Sequence, residues 1–383
     1  MQFVISKGDL VRELQTVTGV VEKRATLPIL SNLLLQARED GLHVRASDLE
    51  VSIRSKTSAT VVKPGSVTLP AAKLLEIARS LPDAEVTFKV GDGHHMAITC
   101  DRTRYRLAGQ PDEEFPGFPE WTSVPIDLPG LTLREMIERV AFAITTEDPR
   151  YTLNGALVLL RKGGITMVAT DGHRLSYVHK EVTLDLDGEV KAIVPRKTLS
   201  EVLKLTADLG DADAIQFGKE GNHVFFRVGD HELASTTPEG PFPNYENVMP
   251  ESCGTSVKLT TDELASAVRR VSLLASDRFG KAVRFALADG KLTLSYEADV
   301  GEAVETLSVD YDGKGAEIGF NARYVQDFLS VVGSEHVTME LDPVRPGETP
   351  SKDDKAGDKP GQFRPEPAGG IDYRYIVMPM HLL

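Results

Sequence analysis

The sequence is short of the residues that mark several protein classes, and each shortage excludes something. Among 383 residues there are two cysteines, Cys100 and Cys253. They stand far apart and outside any metal-ligand spacing, so neither a disulfide scaffold nor a zinc site is expected. They read as reduced thiols of a cytoplasmic protein. No run approaches the roughly 18 consecutive apolar residues of a membrane span. The opening Met1-Gln2-Phe3-Val4-Ile5-Ser6-Lys7 lacks the basic segment and apolar core of a signal peptide. Catalytic signatures are missing as well: no Gly-rich phosphate loop, no G-x-S-x-G elbow and no H-E-x-x-H. The histidines are scattered without ligand spacing. The best catalytic candidate is Thr170-Asp171-Gly172-His173-Arg174-Leu175, where Asp171 and His173 beside a turn would suit a metal-dependent hydrolase. It has no second cluster to support it, so no enzyme, metal or cofactor is expected.

A basic excess is also lacking. The net charge is −14, which argues against nucleic acid as a partner, because phosphate binders usually carry surplus Lys and Arg. Division along the chain softens that argument. Residues 1–125 hold 15 basic and 16 acidic side chains, 126–253 hold 13 and 20, and 254–383 hold 15 and 21. Placement matters more than the sum, and an acidic exterior around a basic channel would satisfy both. With 41% apolar and 26% charged residues the chain is globular and long enough for two or three domains.

What is present is repetition, with a period near 125 residues. Each copy opens on an amphipathic helix: Leu10, Leu14 and Val17; Leu133, Ile137 and Val140; Leu264, Val268 and Val271. Two strands joined by a turn follow, most plainly Val283–Leu287, Asp289-Gly290 and Lys291–Tyr296. Halfway through each copy a strand runs through Pro70, Pro195 or Asn321 into a second helix, expected over Leu74–Leu81, Leu199–Leu205 and Tyr324–Val332. Strands return at Glu85–Val90, Ala214–Phe217 and His336–Leu341. Domains are expected at 1–125, 126–253 and 254–383, each α+β with two helices against antiparallel sheet. Basic residues recur on the helices, among them Lys73, Arg139, Lys197 and Arg270, with acidic neighbours interleaved. One segment breaks the pattern. Pro343 to Gly370 holds six prolines and five glycines, and is expected to be a flexible insertion between two final strands. The chain then ends on an apolar run from Tyr375, which suggests docking.

Four stretches carry a resemblance to a known family. They are Arg24-Ala25-Thr26-Leu27-Pro28-Ile29-Leu30, Arg150-Tyr151-Thr152-Leu153-Asn154-Gly155, Ala169–Leu175 and Val377-Met378-Pro379-Met380. In this order and spacing the chain resembles the bacterial sliding clamps, the beta subunits of DNA polymerase III. The resemblance implies three tandem clamp domains per chain and a head-to-tail dimeric ring of six. About twelve helices of ~10 Å diameter would line a hole ~28 Å across, wide enough for a duplex and a water layer. The implied partners are duplex DNA of any sequence, a second copy of the chain, replicative and repair polymerases, the clamp loader and other proteins with clamp-binding peptides, but no membrane. Residues matching DNA-contacting segments are Arg24, Lys73, Tyr151, Arg196 and Lys197. Those matching the peptide pocket are Leu153, Thr170, Gly172, His173, Arg174, Leu175, Pro243, Val248, Ile376, Val377, Met378, Pro379 and Met380. Those matching the dimer interface are Arg102, Arg104, Tyr105 and Leu107 facing Leu273, Leu274, Glu302 and Glu305. Ala72, Thr152 and His381 depart from the family's usual basic or aromatic residues. The competing reading is a scaffold that gathers proteins without DNA.

Overall fold

A computed structural model describes residues 1–22, 27–145, 151–250, 253–274, 282–298, 300–313, 315–341, 359–367 and 369–380. Among the described residues six α-helices form where the apolar spacing puts them: α1 Lys7–Val17, α2 Ala71–Ser80, α3 Gly130–Val140, α4 Arg196–Leu205, α5 Thr261–Val271 and α6 Ala322–Leu329. The start of α1 is fixed by Ser6, whose hydroxyl accepts from the Asp9 amide at 3.1 Å, satisfying one donor the helix itself leaves open. Asn321 does the same for α6 through the Arg323 amide at 3.0 Å. The residues that carry the periodicity are buried: Leu10, Leu14 and Val17 in α1, Leu264, Val268 and Val271 in α5.

The strands build one pattern three times. Each copy contributes two half-sheets, of four strands except for one five-stranded half in the first copy, and halves from consecutive copies join edge to edge. Val51–Thr57 of the first copy pairs antiparallel with His231–Thr236 of the second, giving an eight-stranded sheet. Arg174–Glu181 of the second copy pairs with Ile371–Val377 of the third, giving another. Two halves remain separate. One carries Thr103–Leu107 at its edge, the other Gly301–Ser308. The middle copy thus lends a half to each neighbour. Contacts accordingly divide the chain into two compact units, Met1–Arg134 with Lys197–Pro238, and Glu135–Arg196 with Glu239–Leu383.

The core sits where helices cover sheet. Gly155–Arg161 and Gly164–Thr170 are buried along nearly their whole length, which is why they read as apolar runs with little alternation. The single tryptophan depends on a glycine in the facing strand. A Cβ at Gly218 would meet the Trp121 indole at 2.4 Å, so the bare backbone lets Trp121 lie flat and stack on Phe225 at 5.5 Å.

The expectation of a flexible 343–370 needs correction. Residues 342–358 lie outside the described residues, but Gly361–Pro365 is a strand paired on both sides, with His336–Leu341 and Ile371–Val377. Phe363 is fully buried and packs against Phe320 at 5.7 Å and Phe328 at 5.9 Å. Gly361 is required there, because a Cβ would meet the Phe320 ring at 2.3 Å. Proline and glycine content hid a strand whose few apolar atoms are all placed in the core.

Candidate functional site

The tip of the hairpin between Gly164–Thr170 and Arg174–Glu181 is held by its own side chains. Asp171 Oδ1 accepts from the amides of His173 at 3.0 Å and Arg174 at 3.1 Å. Thr170 Oγ1 donates to the Arg174 carbonyl at 2.6 Å and accepts from the Gly172 amide at 3.1 Å. Gly172 has φ of 88°, a left-handed conformation that suits glycine. The hydrolase alternative fails on this geometry. Asp171 is occupied by the turn and by Arg174 Nε at 3.0 Å, and the His173 ring stacks toward Tyr324 with centroids 6.5 Å apart. Among the described residues no cluster of three His, Cys, Asp or Glu side chains could hold a metal.

Arg174 ties this tip to α6. Besides Asp171 it donates from Nη1 to Asp327 Oδ2 at 2.6 Å and from Nη2 to the Phe142 carbonyl at 2.8 Å. Its guanidinium lies 4.4 Å above the centre of the Tyr324 ring, so three of about five N–H donors are taken. Burial opposes its charge, but Tyr375, Asp327 and Asp171 outweigh burial and raise its pKa above the ordinary arginine value. An arginine expected to orient a ligand is therefore first a structural tie.

The C-terminal strand lies alongside. Leu175 stands opposite Ile376, the Met378 amide donates to the His173 carbonyl at 2.8 Å, and the Met380 amide to the Gly319 carbonyl at 2.8 Å. Between this strand and the segment after Pro243 runs a groove of about 140 Å³. Leu153, Thr170, Gly172 and Arg174 line it, with Leu175, Pro243, Val248, Ile376 and Met378. Its floor is core: Leu175 and Ile376 belong to a buried cluster with Leu157, Val168, Ile193 and Phe242. Its rim is open, with Val248 43% and Met378 37% exposed. His173, Val377, Pro379 and Met380 do not line it. Strand alternation turns Val377 to the face opposite Ile376 and Met378. Asn244 and Tyr245 do line it, although neither is among the residues expected from the sequence. Tyr245 lies 6.0 Å from Tyr177, and burial with Glu246 nearby pushes its phenol pKa up. Its hydroxyl is therefore neutral at physiological pH.

Those of the remaining expected residues that are described are spread over other surfaces. Arg24, like His381, lies outside the described residues, as does the side chain of Tyr151. Lys73 is exposed on α2 and pairs with Glu76 at 2.6 Å. Lys197 donates to the Val20 carbonyl at 2.8 Å and is paired with Asp48, while Arg196 donates to the Ile144 carbonyl at 3.4 Å. Arg104, Tyr105 and Leu107 occupy the edge strand Thr103–Leu107, and Arg102 is in the turn before it. Glu302 and Glu305 occupy the other edge strand, Gly301–Ser308, with Glu305 bound to Arg270. Leu273 is 78% exposed in the turn after α5.

Three family descriptions match the chain in order: DNA polymerase III beta subunit, N-terminal domain over residues 1–119, central domain over 127–244 and C-terminal domain over 246–354. The chain belongs to the bacterial sliding clamp family. It is 34% identical to the beta sliding clamp of Pseudomonas putida over the whole of both chains. Among solved structures, the DNA polymerase sliding clamp of Pseudomonas aeruginosa with ligand superposes with a TM-score of 0.90 at 30% identity over all of both chains. The Caulobacter crescentus pol III beta structure superposes at 0.88 with 33% identity, again over all of both. Sliding clamps are non-catalytic, which accords with an Asp171 carboxylate given over to a turn.

Proposed function

We propose that two copies of this chain join head to tail into a ring of six clamp domains that encloses duplex DNA. The domains are residues 1–125, 126–253 and 254–383. The chain is a DNA polymerase processivity factor, and its partners in this reading are polymerases and other replication or repair proteins held at the groove beneath Met378. Retention by topology needs few phosphate contacts and no base readout, which permits sliding. It also fits an acidic chain whose Lys73 and Lys197 are partly engaged by Glu76 and Asp48. Arg24, Lys73, Tyr151, Arg196 and Lys197 are the proposed contacts to the duplex. Work on the bacterial chromosome places the protein in the cytoplasm. No helix among the described residues is long and apolar enough to cross a membrane.

The observation that carries the ring is a pairing rule internal to the chain. The fourth strand of one copy pairs antiparallel with the last strand of the next, at Val51–Thr57 with His231–Thr236 and at Arg174–Glu181 with Ile371–Val377. The fourth strand of the third copy, Gly301–Ser308, and the last strand of the first, Thr103–Leu107, are left at sheet edges. A second chain supplies both missing partners at once. The pairing removes exposed edges, which proteins otherwise need to protect. The antiparallel sense brings Glu305 toward the Arg102–Arg104 end and Glu302 toward Leu107, so opposite charges help fix the register. Surface ion pairs of this kind contribute only ~0–1 kcal/mol each, so Leu273, Leu274 and Val304 dominate the joint. Leu273→Ala combined with Leu274→Ala is expected to yield folded monomers in sedimentation at low micromolar protein. An intact dimer of the double variant would remove this joint from the account.

A further inference from the structure

One sheet face far along the chain from the groove residues carries a second cavity, of about 340 Å³, within the roughly 300–1,000 Å³ that small-ligand sites occupy. Its walls are cationic. Arg38, His43, Arg45, Arg54, Lys56 and Arg227 line it from neighbouring strands. Most fall two apart along a strand, which puts them on one face.

The nearby carboxylates do not balance them. Glu232 is buried and accepts from both Arg54 at 2.8 Å and Arg227 at 2.9 Å. Asp40 serves both His43 at 2.9 Å and Lys56 at 3.1 Å, and these hydrogen bonds hold its carboxyl down at about 2. Asp230 also lines the cavity. Among the described residues neither Arg38 nor Arg45 has an acidic partner. Arg38 donates to Gln36 Oε1 at 2.9 Å, and Arg45 to the Pro116 carbonyl at 2.6 Å. The Arg45 Nε is buried without any hydrogen-bond partner. Burial, then the charges of Arg54 and Arg38, push the Arg45 pKa down. A buried donor left unused among like charges is destabilising unless an anion joins it.

We propose that this cleft is a binding site for a small anion carrying two or more linked phosphates, held by Arg38, Arg45 and Lys56. Planar guanidinium forks match phosphate oxygens, and several cations spread over one cavity suit a chain of phosphates better than a single carboxylate. Arg54, stacked 4.3 Å from the centre of the Phe118 ring, forms a fixed wall. The proposal is independent of the clamp reading.

Titration calorimetry of the full chain with inorganic tripolyphosphate tests it. One saturable site is expected, with a raised melting temperature in the bound form. Arg38→Gln, at an exposed strand end, should weaken binding about tenfold or more, the loss of one charge-assisted contact. Arg45→Gln should do the same, and its melting curve separates a lost site from a lost fold. Arg284→Gln, on a different sheet, should change nothing. A nucleoside triphosphate that binds like tripolyphosphate assigns recognition to the phosphate chain. Tighter binding adds the nucleoside, and both support the site. Absence of saturable binding at millimolar ligand, equal loss in Arg284→Gln, or preference for a glutamate-rich peptide over tripolyphosphate would overturn it.

Discussion

At the scale of the residue, the tyrosines of the C-terminal strand show how polar atoms are accommodated in this core. Tyr375 is buried, stacks on Phe328 with centroids 4.8 Å apart and donates from its hydroxyl to the Tyr324 carbonyl at 2.8 Å. Tyr373 is buried too and donates to the Arg139 carbonyl at 3.1 Å. Burial raises both phenol pKa values well above the ordinary 10.0. The sign follows from linkage: these phenols remain neutral in the folded chain at pH values where the unfolded chain has already ionised. Their contribution is complete below about pH 10 and is lost as pH rises toward the folded-state values. Phenolate absorbance should therefore show a late group of tyrosines ionising together with loss of circular dichroism. If every tyrosine titrated near pH 10 with the fold intact, the buried assignment would be wrong. Such partners are illegible in the sequence. Arg174 stands in a recognisable motif, yet Asp327, its ion-pair partner at 2.6 Å, is 153 residues away.

At the scale of the element, periodicity and turn residues located all six helices to within a few residues, because each buries one apolar stripe on sheet. The strand Gly361–Pro365 was missed for a physical reason: only Phe363 among its residues is large and apolar, and prolines surround it. The repeat itself held the missing signal. Met96–Cys100 and His223–Val228 occupy the corresponding place in the first two copies, so the third copy needs a strand between Leu341 and Ile371. Phe363→Ala should cost roughly 3–5 kcal/mol in denaturant unfolding, the usual loss for a large buried aromatic. A cost under about 1 kcal/mol would match an exposed side chain and contradict the pairing. The groove was legible in its floor and tail but not in Asn244 and Tyr245, which no periodicity or motif singles out. Its proposed role predicts that Met378→Ala with Val248→Ala, both at the exposed rim, lowers affinity for a polymerase-derived clamp-binding peptide by about 2 kcal/mol or more. Fluorescence anisotropy with the labelled peptide reads this directly. Unchanged affinity in a folded double variant would move partner binding elsewhere.

At the scale of the whole molecule, the threefold repeat, the internal pairing of half-sheets and the two leftover edges form one argument. Three copies per chain leave one unmatched half at each end of the pattern, and a second chain matches both. The two units defined by contacts differ from the three copies defined by sequence for the same reason, since the middle copy divides its strands between two shared sheets. Charge agrees with a topological mode of binding: a chain of net charge −14 is poorly suited to holding DNA by phosphate contacts alone. The most direct test is retention on DNA after loading. The ring account predicts that the protein stays on closed-circular duplex through gel filtration at high salt and is released once that duplex is cut to linear form. Equal retention on circular and linear DNA, with both lost as salt rises, would mean electrostatic binding without encirclement and would contradict it.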